Sequence, residues 1–254
     1  MIYFVGAGPG DKELITVKGR KILEMVDCII YAGSLVNPEL LGYAKPGCAF
    51  HNSARMTLEE VAGIMLENEK EGLHTARLHT GDPSIYGAIK EQIDILAAQG
   101  IPYTVIPGVS AFAAAAAVLG AEYTLPGLSQ TLMLTRMEGR TPVPEKENIA
   151  ALAKIQASMA IFLSGGMLPA LSEKLLEGGY PPDTPAAIVY KASWPDEKII
   201  RTTIKGLPEA GAEGEISKTA IILVGSFLGG EYERSFLYNP DFSHGYRMGQ
   251  KSDG

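Results

Sequence analysis

Short apolar runs alternate with helical hydrophobic spacing through the first hundred residues. Residues 2–5, Ile-Tyr-Phe-Val, predict a buried strand that stops at Gly6-Ala7-Gly8-Pro9-Gly10-Asp11. Ile22, Leu23 and Val26 then recur at helical spacing, and 28–32 is a second apolar run. Thr57 with Glu60 three residues later is a capping-box signature. Leu58, Val61, Ala62 and Met65 share a face of the helix it opens, and Gly72 stops that helix. Residues 75–80 and 103–106 predict strands, and another strand is expected just before Arg55. Ile85, Ile89, Ile93 and Leu96 predict a helix ending at Gly100. Strands of continuous apolar character separated by helices build a mostly parallel sheet covered on both faces.

Residues 110–119 predict an alanine-rich helix whose small side chains suit either tight core packing or close approach to a ligand. After a connection at 122–130 a second series begins. Strands are expected at 132–135, 160–164, 187–192, 199–204 and 220–224, with helices near 148–156 and 169–177. The short link between 187–192 and 199–204 predicts an antiparallel pair, so this second sheet is mixed. The expected fold is α/β: domains 1–120 and 121–244, and a loose polar tail at 245–254.

Composition narrows the classes. At 254 residues, with 46% hydrophobic and 20% charged residues, the chain carries ordinary globular cores. No apolar stretch approaches the roughly 20 residues of a membrane span. Met1-Ile2-Tyr3-Phe4-Val5 has no basic leader, which predicts no signal peptide. Cys28 and Cys48 match neither a disulfide framework nor a zinc site, so a cytoplasmic setting is expected. A formal charge of −7 argues against nucleic-acid binding. It leaves room for an anionic small molecule held by local arginines. His51, His74, His79 and His244 show no metal-ligand spacing, and His79, inside a strand, reads as a core residue.

Three strand-end loops carry the candidate chemistry. The first has Gly6-x-Gly8, yet the third glycine of a dinucleotide fingerprint is replaced by Asp11, and Pro9 removes a loop N–H. The second, Thr80-Gly81-Asp82-Pro83-Ser84-Ile85-Tyr86-Gly87, sits where α/β sheets bind ligands. Gly81 allows close backbone approach there, and Asp82 either caps the next helix or pairs with a ligand amine or hydroxyl. The third is Pro107-Gly108-Val109-Ser110-Ala111. No P-loop, Gly-x-Ser-x-Gly elbow or cysteine–histidine pair offers a covalent nucleophile.

Together these loops, with Leu14 and Thr16 behind the first, resemble the signatures of the tetrapyrrole methylases. Residues 31–38 (Tyr-Ala-Gly-Ser-Leu-Val-Asn-Pro) and 237–247 resemble the members that methylate C-11 of precorrin-4, with or without cobalt. The resemblance implies a homodimer of two αβα domains with S-adenosyl-L-methionine folded into a cleft, and no protein-bound metal. Carried over by position, cofactor contacts are Pro9, Gly81, Asp82, Ile85, Ser110, Ala111, Ser164, Ala192 and Thr219. Ser164 stands where relatives often carry methionine. Ser34, Arg55 and Arg136 are candidates for the carboxylate-rich tetrapyrrole, the two arginines reading equally as solvated surface residues. Uroporphyrinogen methylases carry an aspartate at the end of the second strand, where this chain has Ala32, so no catalytic base is assigned. The competing readings are another ring position, uroporphyrinogen III as substrate, or an inert cofactor-binding carrier.

Overall fold

In the computed structural model, which describes residues 1–33 and 35–249, the first sheet is wholly parallel. Its strands are β1 (Ile2–Gly6), β2 (Cys28–Tyr31), β3 (Ala49–Asn52), β4 (Thr75–His79) and β5 (Tyr103–Ile106), in the order β3-β2-β4-β1-β5. Helices α1 (Val17–Met25), α2 (Leu58–Lys70), α3 (Lys90–Ala98) and α4 (Ala111–Leu119) connect or follow them. Alternation along the strands splits the apolar residues between two cores. Val5, Ile29, Ala76 and Leu78 pack with Ile22 and Leu23 of α1. Ile2, Phe4, Cys28 and Ile30 pack with Val61, Ala62 and Met65 of α2 and Leu96 of α3. The capping box forms: Glu60 N–H donates to Thr57 Oγ1 at 3.2 Å, and Thr57 N–H to Glu60 Oε2 at 2.7 Å.

The second sheet has the order β6-β7-β10-β8-β9, from β6 (Leu132–Arg136), β7 (Ser158–Phe162), β8 (Pro185–Tyr190), β9 (Lys198–Thr203) and β10 (Ala220–Val224). β6 and β7 are parallel, whereas β10 runs antiparallel to β7 and β8, and β8 antiparallel to β9. The sheet is therefore mixed, as the short link implied. Its core joins Met159, Ile161, Ile188 and Ile222 to α5 (Ile149–Ala153), α6 (Leu168–Glu177) and α7 (Leu207–Glu213). The sequence pattern did not foresee α7, a single short segment entered through Pro208.

The chain clusters into two units, 1–115 with 191–197, and 116–190 with 198–254. Several boundaries differ from expectation, and those of β7, β8 and α5 share one physical reason. The second strand ends at Tyr31, β7 and β8 end two residues early, and α5 stops before Gln156. Leu163, Lys191 and Gln156 adopt φ of +54°, +47° and +53°, which an extended strand or right-handed helix cannot contain. The helix expected to carry Ile85 begins only at Lys90, because Tyr86 (φ +55°) and Ala88 (φ +47°) break the pattern. Arg247, in the stretch expected to be loose, donates through Nη2 to the carbonyls of Leu237 (2.9 Å) and Asn239 (2.7 Å).

Candidate functional site

In the first unit the three loops meet backbone to backbone at the carboxyl ends of β1, β4 and β5. Gly8 and Gly81 form an antiparallel bridge, Gly81 N–H donating to Gly8 O at 2.8 Å. A Cβ on Gly6 would lie 2.5 Å from Gly108 Cα, and one on Gly108 would lie 2.1 Å from Gly81 O. Real side chains never come so close, so close approach belongs to Gly6 and Gly108. Gly81 differs from these two and leaves open space beside the junction. A Cβ there meets nothing nearer than 3.6 Å (Ser110 Cα), and glycine is favoured instead by its φ of +61°.

Asp82 ties the second loop to the third. Its Oδ2 accepts from Gly108 N–H at 2.8 Å, and its Oδ1 accepts from the Ser84 amide at 2.8 Å and from the Ser84 hydroxyl. No helix starts within reach, so the carboxylate caps a turn rather than α3. Burial opposes its ionisation, but the Ser84 hydroxyl and the Gly108 and Ser84 amides outweigh burial and hold the carboxyl below the usual range. These bonds occupy three of about four lone-pair positions, leaving one for a ligand donor.

Pro9, Gly81 and Ser110 are buried, and Asp82, Ile85 and Ala111 half-buried. Gly81 lies against Ser110 and Ala111, and Ile85 N–H donates to Asp82 O at 3.3 Å. Ala192 is buried in the 191–197 segment, which belongs to this unit. That segment supplies residues the sequence reading missed. Trp194 Nε1 donates to Pro9 O at 2.9 Å, and Asp11 N–H donates to Ser193 Oγ at 3.0 Å. Asn37 Nδ2 holds Gly10 O at 2.9 Å. The chain's single tryptophan was the one signal available for this closure.

At the neighbouring strand ends, Asn52 Oδ1 accepts from the amides of Gly33 (3.1 Å) and Ala54 (3.0 Å). Ala32 and Gly33 thus occupy a tightly held turn. Ser34, assigned to the tetrapyrrole, lies outside the described residues. Arg55 is exposed just beyond β3, in no ion pair among the described residues.

In the second unit, Ser164 is fully buried and spends its hydroxyl internally, accepting from Met137 N–H (3.0 Å) and donating to Phe162 O (2.7 Å). Its loop abuts the turn before β10, where a Cβ on Gly166 would lie 2.8 Å from Ser217 O. Thr219 follows in that turn with φ +55°, costly for a β-branched residue. Arg136, at the end of β6, donates to the carbonyls of Met137 (3.1 Å), Thr141 (3.2 Å) and Pro142 (2.7 Å). Its guanidinium braces its own loop. Among the described residues no group of His, Cys, Asp or Glu is placed to hold a metal ion.

A parallel sheet with a glycine-packed trio of strand-end loops, in a chain that also carries a mixed sheet, defines a class. Residues 1–208 match the tetrapyrrole (corrin/porphyrin) methylases, and the chain belongs to that family. It is 53% identical over 251 residues to a cobalt-precorrin-4 C(11)-methyltransferase from Methanocaldococcus jannaschii, covering 98% of this chain and 97% of the relative. A precorrin-4 C(11)-methyltransferase of Pseudomonas aeruginosa is 45% identical, over 98% of this chain and 99% of its own length. Among solved structures, the cobalamin biosynthetic enzyme cobalt-precorrin-4 methyltransferase superposes with a TM-score of 0.88 at 48% identity, covering 89% of this chain and 95% of that one. A uroporphyrin-III C-methyltransferase from Thermus thermophilus, complexed with S-adenosylhomocysteine, matches at 0.74 and 25% identity over 90% and 93%.

Proposed function

We propose that this chain transfers a methyl group from S-adenosyl-L-methionine to C-11 of precorrin-4, in its cobalt or cobalt-free form, during cobalamin biosynthesis. One observation carries the reading: similarity to C(11)-methyltransferases, at 53% and 45% identity, extends over 98% of the chain. When bound, the cofactor supplies a sulfonium-activated methyl group that needs alignment rather than a protein nucleophile. The residues present suit it. Gly6 and Gly108 let the loops meet backbone to backbone, Gly81 leaves open space beside them, and Asp82 retains acceptor capacity for an amine or hydroxyl. Pro9, Ile85, Ser110, Ala111 and Ala192 line the same loops and hold the cofactor by main chain and apolar contact.

A homodimer belongs to this reading, supported by the apolar surface that Phe236, Leu237 and Tyr238 expose near the C-terminus. A cytoplasmic setting belongs to it as well; no helix of the described residues is long and apolar enough to cross a membrane. The deciding experiment incubates the protein with enzymatically made cobalt-precorrin-4, precorrin-4 and methyl-labelled cofactor. A single mass increment with the carbon label at C-11 is expected. A label at another ring carbon overturns the position, and cofactor binding without transfer to either ring identifies an inert carrier.

A further inference from the structure

On the face of β4 that packs toward α2 and α3, the apolar pattern is interrupted by a cation. A pocket of about 240 Å³ opens there, lined by Ser53, Met56, Thr57, Arg77, Ala88 and Gln92 among others. Arg77 is only 9% exposed. Its Nε donates to Gln92 Oε1 at 3.2 Å and its Nη1 to Ile30 O at 3.3 Å, both neutral acceptors. Gln92 is itself held, its Nε2 donating to Ala88 O at 3.0 Å. Among the described residues no carboxylate pairs with this guanidinium, and Glu91, the acid on the pocket wall, is exposed. Burial lowers the Arg77 pKa to about 10, which leaves it charged at neutral pH. His79, two residues along the same face, is pushed to about 3 by burial and then by the Arg77 charge, so it stays neutral and adds no second cation.

A desolvated cation with only neutral partners is costly, and an anion in the pocket would relieve that cost. The helix above points the same way: Ile89 gives α3 no side-chain cap, so its first amides are open to an acceptor. The volume is below the roughly 300 Å³ at which pockets begin to enclose a drug-sized ligand. It suits one arm of a larger molecule. Ser53 and Ala88 follow β3 and β4, so the pocket lies toward the sheet end that carries the glycine loops.

We propose that this pocket is a carboxylate subsite, in which Arg77, braced by Gln92, receives one acetate or propionate arm of the tetrapyrrole. The inference rests on the methyl-transfer reading above for the identity of the molecule, and the test separates the two. Uroporphyrin III and its octamethyl ester are titrated against the protein, followed by quenching of Trp194, the only tryptophan. Three variants are compared: Arg77→Gln, Ala88→Asp and Ala88→Asn. At φ +47°, aspartate and asparagine are both tolerated at position 88, but only aspartate sets a competing carboxylate at the pocket.

The wild type is expected to prefer the free acid, with Kd rising about tenfold in Arg77→Gln and Ala88→Asp and little in Ala88→Asn. In turnover of cobalt-precorrin-4 the same two variants raise KM while kcat and the Kd for S-adenosylhomocysteine hold. Unchanged Kd and KM in both, with folding verified by circular dichroism, overturns the subsite, as does a wild type indifferent to esterification. Lack of turnover by the wild type overturns the methyl-transfer reading alone, because the titration reads the pocket independently.

Discussion

Trp194 and Pro9 are 185 positions apart, yet the indole Nε1 donates to the Pro9 carbonyl oxygen at 2.9 Å. The same ring takes the space beside Gly10, where a Cβ would fall 2.1 Å from Trp194 Cδ1. Lys191 Nζ lies 5.3 Å from the ring centroid. A segment remote in sequence thus completes the first glycine loop and fixes a carbonyl that would otherwise be free to turn.

Gly10→Ala is expected to destabilise the protein by about 1–3 kcal/mol, because the ring must move to admit the methyl group. Trp194→Phe loses the hydrogen bond, about 1 kcal/mol, together with the packing of the larger indole ring. In the double variant Gly10→Ala/Trp194→Ala the loss should be smaller than the sum of the losses in Gly10→Ala and Trp194→Ala alone. Thermal unfolding and calorimetry with S-adenosylhomocysteine check this; full additivity would mean the two positions do not touch.

Gly108→Ala should abolish cofactor binding, since its Cβ would collide with Gly81 O and no flexible side chain can yield. Gly81→Ala faces open space and bears only the left-handed strain, about 1–2 kcal/mol. Gly81→Asn should bind better than Gly81→Ala, because asparagine tolerates positive φ. Equal losses at 81 and 108 would refute the distinction.

Stability should fall in acid through His79. Burial, then the Arg77 charge, lowers its folded pKa to about 3, while the unfolded value is about 6.5. The unfolded chain therefore binds the proton first, and stability is lost as pH drops from about 6.5 towards 3. His79 Nε2 has no partner in the described structure, so His79→Leu should cost little at pH 7.5 and flatten this limb. Denaturant midpoints across the range are the measurement, and an unaltered slope in the variant would count against His79 as the cause.

Uroporphyrinogen III should be methylated poorly or not at all. Ala32 and Gly33 offer small neutral groups where the sequence comparison with uroporphyrinogen methylases expects an aspartate, and Asn52 Oδ1 holds that turn through the Gly33 and Ala54 amides. Side-by-side anaerobic assays with mass increments decide it. Efficient double methylation would leave the family intact and remove the C-11 assignment.

The chain's local pattern was enough for the α/β class, both sheet types, the capping box at Thr57 and Glu60, and the three loops. Hydrophobic period, glycine and proline are properties of neighbouring residues, and those loops are bounded by glycine and proline. What tertiary structure alone decided involves partners far apart in sequence. Trp194 on Pro9, Asp82 on Gly108, and the close approach of Gly108 to Gly6 and to Gly81 O follow from the folded arrangement of distant segments, and no local period encodes it. Positive φ at Tyr86 and Ala88 overrode the helical spacing of Ile85 and Ile89 for the same reason: the loop packs on its neighbours, and packing outweighs a weak local preference. Arg136 and Arg77 show the limit most plainly. Sequence named the arginine at the strand end, Arg136, which in the folded chain donates to its own loop carbonyls; it gave no sign of Arg77, buried beside a pocket with no carboxylate partner among the described residues.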